Sequence, residues 1–317
     1  MIDGFGRSIT YMRLSVTELC NLRCRYCMPA AGVPKKEHAD MLTEEEMICA
    51  VRAAARLGIN KLRITGGEPL VKPNILSICE KAAAVPGIRE VCMTTNGVLL
   101  KDLAKPLREA GIKRINISLD TLDPVKYEEI TRVGKIEKVR EGIEAALDAG
   151  FDQVKINAVL IGGFNDMEIP AIAGLTREYP LDVRFIELMP MMERGEFSPD
   201  AYISGDLVLE KLPELMDVSE EGGVAKLYRF PDGLGKIGLI NPISAHFCGR
   251  CNRIRLTADG RIKPCLHRPA ELSLKGLDEE GMMRQFEAAI RSKPEWHGEL
   301  NAASPSQAGR SMNSIGG

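Results

Sequence analysis

The sequence lacks the features that would mark it as anything but an ordinary globular chain. It has no apolar run approaching the roughly 20 residues of a membrane span. Its opening, MIDGFGRSIT, has no apolar core of the signal-peptide kind, so no secretory signal is expected and the cytoplasm is the default compartment. It has no surplus of charge: 42 Lys and Arg stand against 44 Asp and Glu, a net −2 at pH 7. Aromatics make up only 5%, and no basic face interleaved with them is visible. Neither nucleic acid nor a membrane is therefore an expected partner. Any anion site must come from a local cluster of Lys and Arg. Internal repeats and blocks of like charge are also missing. What remains is a chain of 317 residues, 44% apolar and 27% charged, long enough for one large domain or two ordinary ones.

Disulfides are rare in the cytoplasm, so the nine cysteines read as free thiols or metal ligands. Cys49, Cys79 and Cys92 stand alone in apolar surroundings, as small buried hydrophobes do. The other six fall into two sets of three: Cys20, Cys24 and Cys27, and Cys248, Cys251 and Cys265.

From residue 10 to about 190, strand-like runs alternate with helix-like stretches. The runs are YMRLSV, KLRITG, EVCMTT, RINISL, VKINAVL and VRFIEL. Six such strands predict an α/β fold, an incomplete β/α barrel of parallel strands with outer helices and right-handed crossovers. Thr43 and Glu46 form a capping box for one helix, which closes at Gly58; another closes at Gly150. After residue 190 the pattern becomes a smaller region of short antiparallel strands, with a hairpin turning at Asp259-Gly260, and a helix over 279–292. The expected division is 1–220 for the barrel, 221–300 for the C-terminal region and 301–317 for a flexible tail ending in Gly-Gly.

Side chains alternate along a strand. Arg13 and Ser15 therefore oppose Leu14 and Val16, and Lys61 and Arg63 oppose Leu62 and Ile64. Asn116, Ser118 and Asp120 oppose Ile115, Ile117 and Leu119, while Lys155 and Asn157 oppose Val154 and Ile156. Apolar faces belong under the helices, which turns the polar faces into the barrel. A lumen lined by Arg13, Lys61, Arg63, Lys155 and Arg184 needs counter-charge, so the alternation predicts a cavity that holds an anion.

The first cysteine set reads C-x3-C-x2-C. Structural metal sites are usually closed by four ligands, and an open position marks a reactive one. Three thiolates suit an iron–sulfur cluster with one open iron; a zinc site completed by His38 is the alternative. The second set reads C-x2-C-x13-C. On residues alone it stays open between a cluster and a zinc site completed by His246 or His267. Arg253 and Arg255 follow it at i and i+2 on one face, a spacing that suits a phosphate chain.

The first set, with Tyr26 just before its last cysteine and GGEP at Gly66 to Pro69 after the second strand, resembles the radical S-adenosylmethionine (SAM) superfamily. The fuller series resembles the GTP 3′,8-cyclase family of molybdenum cofactor biosynthesis across nearly the whole chain. That series is RLSVTELCNLRCRYCMP, LRITGGEPL, MTTNG, INISLDTL, VKINAVLIGGFND, VRFIELMP, FCGRCNRIRLTADGRIKPCL and the terminal IGG. The resemblance implies two 4Fe-4S clusters, one on Cys20, Cys24 and Cys27 and one on Cys248, Cys251 and Cys265. It implies SAM contacts at Tyr26, Gly67, Ser118 and Met189. It implies GTP contacts at Arg13, Arg63, Thr94, Lys155, Arg253, Ile254 and Arg255, with Arg184 as a further basic wall residue. SAM would be cleaved to methionine and a 5′-deoxyadenosyl radical, which takes hydrogen from ribose C3′ of GTP so that C3′ attacks guanine C8. An external electron donor is implied. So is a following enzyme, cyclic pyranopterin monophosphate synthase, to receive the product; a homodimer stays open. In the family the Gly-Gly tail enters the cavity.

Overall fold

The computed structural model describes residues 1–34, 36–191, 197–219, 224–301 and 304–316. The side chain of His38, weighed above as a zinc ligand, and the terminal Gly317 lie outside the described residues. The first half runs β1 (Tyr11–Ser15), α1 (Glu44–Arg56), β2 (Lys61–Thr65), α2 (Ile75–Ala83), β3 (Glu90–Thr95), α3 (Leu100–Glu109) and β4 (Ile112–Ser118). It continues with α4 (Pro124–Thr131), α5 (Ile136–Asp148), β5 (Gln153–Leu160), α6 (Ile169–Glu178) and β6 (Asp182–Glu187). Then come α7 (Leu207–Lys211), β7 (Met216–Asp217), β8 (Lys226–Arg229), β9 (Ile237–Ile240), β10 (Arg253–Leu256), β11 (Arg261–Lys263), β12 (Leu272–Ser273), α8 (Glu279–Arg291) and α9 (Met312–Ile315).

All six expected strands form, and α1 is set by local chemistry. At the start of α1 the Thr43 hydroxyl accepts from the Glu46 N–H at 3.2 Å, and the Glu46 carboxylate accepts from the Thr43 N–H at 2.9 Å. The helix buries Met47, Ala50, Val51 and Ala54 and stops ahead of Gly58, whose φ is 91°. The end of α5 is the same, with Gly150 at φ 71°.

Among the described residues twelve strands make one sheet in the order β12-β11-β10-β1-β2-β3-β4-β5-β6-β9-β8-β7. Its two ends do not pair with each other, so the barrel is incomplete, as expected. β1 to β6 are parallel neighbours. The C-terminal region supplies the expected antiparallel strands β8, β11 and β12, and β7, just before residue 220, pairs antiparallel with β8. Two of its strands do more: β10 pairs parallel with β1 and β9 pairs parallel with β6. The C-terminal region thus extends both edges of the barrel sheet. One apolar core runs through both halves, joining Met12 and Leu14 to Ile254, Leu256 and Phe286.

The tail corrects the reading from composition. Residues 312–316 are folded, with Asn313 and Ile315 each only 1% exposed. Ile315 and Met312 pack with Met189, Met191, Leu266 and Ala308, and that apolar contact offsets the entropy of ordering a Ser- and Gly-rich segment.

Thr43→Ala removes one half of the α1 capping box. It is expected to lower the unfolding free energy by about 1 kcal/mol, read as a shifted urea midpoint with unchanged slope.

Candidate active site

The first cysteine loop follows β1 and lies across the end of β2. The Gly67 N–H donates to the Thr17 carbonyl at 2.7 Å, and the Glu68 N–H donates to the Leu19 carbonyl at 2.8 Å. A Cβ on Gly67 would stand 2.4 Å from the Leu19 oxygen, so only glycine lets the two backbones touch. Glu68 is buried beneath them. Its carboxylate accepts from the Thr95 hydroxyl and the Asn96 N–H, each at 2.6 Å, and burial pushes its pKa up to about 7. Tyr26 donates to Asp120 at 2.7 Å, and Asp120 also accepts from the Val159 N–H at 2.8 Å. Burial lifts Asp120 to about 6. Ser118 closes β4 and Met189 follows β6. The Cys20 loop, Gly67, Ser118 and Met189 thus sit at the C-terminal ends of strands, where barrel sites are built.

The thiols of this loop resist ionising. Burial pushes Cys20 up. Burial and the neighbouring Cys27, Asp120 and Cys20 push Cys24 well up, and burial and Cys20 take Cys27 to about 12. Thiols this crowded lose their protons only against a strong local positive charge. That donor set fits iron bound through sulfur. Among the described residues no three His, Cys, Asp or Glu side chains are grouped to hold a single metal ion. Neither His246 nor His267 is grouped with the second cysteine set. His267 instead faces the Ser306 hydroxyl at 3.1 Å, and His246 stacks on Trp296.

The second set straddles a hairpin: Cys248 and Cys251 precede β10, and Cys265 follows β11. The pairing of β10 with β1 then brings its arginines beside those of the barrel. Arg255 lies opposite Arg13, which lies opposite Arg63. Neighbouring strands are about 4.8 Å apart, so three guanidiniums form one row. Tyr11 lies in the adjacent row between Arg253 and Lys61, whose cations stand 5.5 and 5.6 Å from its ring.

This row is partly matched from within. Arg63 donates to the Tyr11 hydroxyl at 2.6 Å, to the Met93 carbonyl at 3.0 Å and to the Thr94 hydroxyl at 3.2 Å. Lys155 pairs with Asp182 at 2.6 Å and Lys61 with Glu90 at 3.0 Å. Arg13 and Arg255 both donate to the Gly316 carbonyl, at 3.0 Å each. The backbone there has φ 73°, and a Cβ on Gly316 would lie 2.3 Å from the Thr65 hydroxyl, so the end of the tail reaches the lumen only as glycine. Among the described residues, the buried Nε of Arg184 and that of Arg253 keep no partner. The charges are correspondingly strained. Burial and Arg255 hold Arg13 well below the usual guanidinium range. Burial and a neighbouring arginine bring Arg255 and Arg184 each down to about 10. Burial and Arg184 bring Lys155 to about 8.

Most of the residues singled out from sequence are brought together here. Ile254 is the exception in its side chain, which is 1% exposed and lies in the core. Strand reading passed over Tyr11, although it shares a face with Arg13 two residues on. It also left Asn313 unassigned, whose side-chain amide donates to the Glu18 carbonyl at 3.1 Å, at the start of the first cysteine loop; no local signal places that residue.

Comparison with known proteins adds the following. Residues 14–176 match the family profile described as Radical SAM superfamily, and residues 181–299 match Molybdenum Cofactor Synthesis C. The chain is 48% identical to a GTP 3′,8-cyclase of Alkaliphilus oremlandii, covering 100% of both chains. It is 46% identical to a GTP 3′,8-cyclase of Moorella thermoacetica, again over 100% of each. Among solved structures it is similar in fold to SuiB of Streptococcus suis bound to S-adenosylmethionine. The TM-score is 0.61 at 14% identity, over 84% of this chain and 63% of that one.

Two outcomes are expected from this geometry. Burial would raise the Tyr11 pKa, yet Arg63, Arg13 and Arg253 outweigh it and hold the phenol at about 8. With a free value near 10, its contribution to stability is full above pH about 10 and is lost as pH falls through about 8. The tyrosinate absorbance difference between wild type and Tyr11→Phe should therefore titrate near 8; a midpoint near 10 would rule out the field of the basic row. Gly316→Ala should undock the tail, so that trypsin cleaves after Arg310 severalfold faster; unchanged cleavage would count against the close approach.

Proposed function

The chain belongs to the GTP 3′,8-cyclases of the radical SAM superfamily. On that premise we propose how its own residues serve the conversion of GTP to (8S)-3′,8-cyclo-7,8-dihydroguanosine 5′-triphosphate, the first step of molybdenum cofactor biosynthesis. Its cofactors are SAM and two 4Fe-4S clusters. When bound, the SAM-side cluster supplies the electron that releases a 5′-deoxyadenosyl radical, the species that takes hydrogen from ribose C3′.

Cys20, Cys24 and Cys27 would hold that cluster, and Cys248, Cys251 and Cys265 the second. Tyr26, Gly67, Ser118 and Met189 would line SAM. The observation that carries the substrate reading is the arginine row beside two buried, unpartnered donors, Nε of Arg184 and Nε of Arg253. Like charges held this close are unfavourable until an anion offsets them. A triphosphate offers the charge and the bidentate acceptors that guanidiniums match. Arg13, Arg63, Thr94, Lys155, Arg253 and Arg255 would grip it, and Ile254 would offer only its backbone. Holding the phosphates supplies remote binding energy that places the ribose. The tail, with its Gly316 carbonyl on Arg13 and Arg255, closes the lumen against water.

The functional division follows: residues 1–220 carry SAM, 221–300 the second cluster, and 301–317 the closing tail. No helix among the described residues is long and apolar enough to cross a membrane, and we place the enzyme in the cytoplasm. It draws on an external electron donor and passes its product to cyclic pyranopterin monophosphate synthase.

Anaerobic incubation with GTP, SAM and reductant should yield 5′-deoxyadenosine and a cyclised nucleotide by mass. Arg255→Ala should lower turnover about 10²-fold while iron content holds. Loss of iron in that variant would make Arg255 a structural residue and sink its assignment to GTP.

A further inference from the structure

Two buried cations hold the loop that carries the second cysteine set, and they differ in one respect. Arg7 donates to the carbonyls of Cys248 at 2.8 Å, Pro294 at 2.6 Å and Glu295 at 2.8 Å, and pairs with Asp3 at 2.6 Å. Its charge is matched. Lys293, just past α8, is 3% exposed, and among the described residues no carboxylate pairs with it. Its ammonium donates to the Pro264 carbonyl at 2.7 Å and to the Arg253 carbonyl at 2.9 Å. Pro264 precedes Cys265 and Arg253 follows Cys251, so one ammonium ties both cysteine-bearing arms together.

We propose that Lys293 is a positioning residue for the cluster held by Cys248, Cys251 and Cys265: its buried ammonium fixes both arms and favours the reduced cluster. The inference rests on the reading that this set carries a cluster. Reduction adds one electron, and so one negative charge, to a thiolate-bound cluster. The potential follows net charge, and a buried cation bonded to the backbone next to two ligand cysteines acts at short range. A buried cation left without a carboxylate costs free energy; the cluster's negative charge supplies the missing counter-charge.

The test uses the full chain, reconstituted anaerobically and titrated with dithionite while electron paramagnetic resonance is recorded. A Cys20→Ala, Cys24→Ala, Cys27→Ala background isolates the second signal. Lys293→Met should make that cluster at least tenfold harder to reduce, about 59 mV for a one-electron couple, with its iron retained. Lys293→Arg should stay near the parent. The proposal falls if Lys293→Met leaves the midpoint unmoved, if it costs the second set its iron, or if Lys293→Arg shifts as far as Lys293→Met. If the unaltered protein binds only about four irons per chain, the reading of a second cluster fails first. That result is distinguishable because it appears without any substitution.

Discussion

Parallel strands fix the spacing of whatever stands on them, and here they hold Arg255, Arg13 and Arg63 side by side. Hydrogen bonding between strands sets that distance, so the guanidiniums cannot separate to relieve their repulsion. Much of the interior answers to this constraint. Tyr11 is held near ionisation by it. Lys155 and Lys61 are each matched by a carboxylate at the start of a neighbouring strand, Asp182 and Glu90. The tail ends where a carbonyl can accept from two of the arginines. The apolar face behind the row, Met12, Leu14, Leu62 and Ile254, is fully packed and supplies the burial that offsets the cost of the charges.

The two cysteine sets lie at opposite ends of one seam. The first hangs from the end of β1, and the second from a hairpin whose first strand pairs with β1. Each loop is held by an arginine on a cysteine carbonyl, Arg23 on Cys20 and Arg7 on Cys248, and the second is also held by Lys293.

Legibility varied with the range of the interaction. The capping box at Thr43 and Glu46 spans one helical turn, so sequence reads it directly. Strand alternation shows which face carries Arg13, Arg63 and Lys155, because the period of two is local geometry. The cysteine spacing shows that three thiols crowd one turn. Ile254 was harder: its neighbours at i−1 and i+1 face the lumen, and its own side chain therefore belongs to the core.

By itself, then, the sequence determined the strands, the two thiol sets and the polar face of each strand, since each depends on residues a few positions apart. Tertiary structure decided that β10 and β9 join the barrel edges in parallel, which places Arg253 and Arg255 beside Arg13. It decided that a tail poor in bulky side chains is ordered, because Ile315 and Met312 find apolar partners far away in the chain. It decided, too, that Lys293 reaches the carbonyls of both cysteine-bearing arms. Contacts between distant segments depend on how the whole core packs, and no local pattern encodes them.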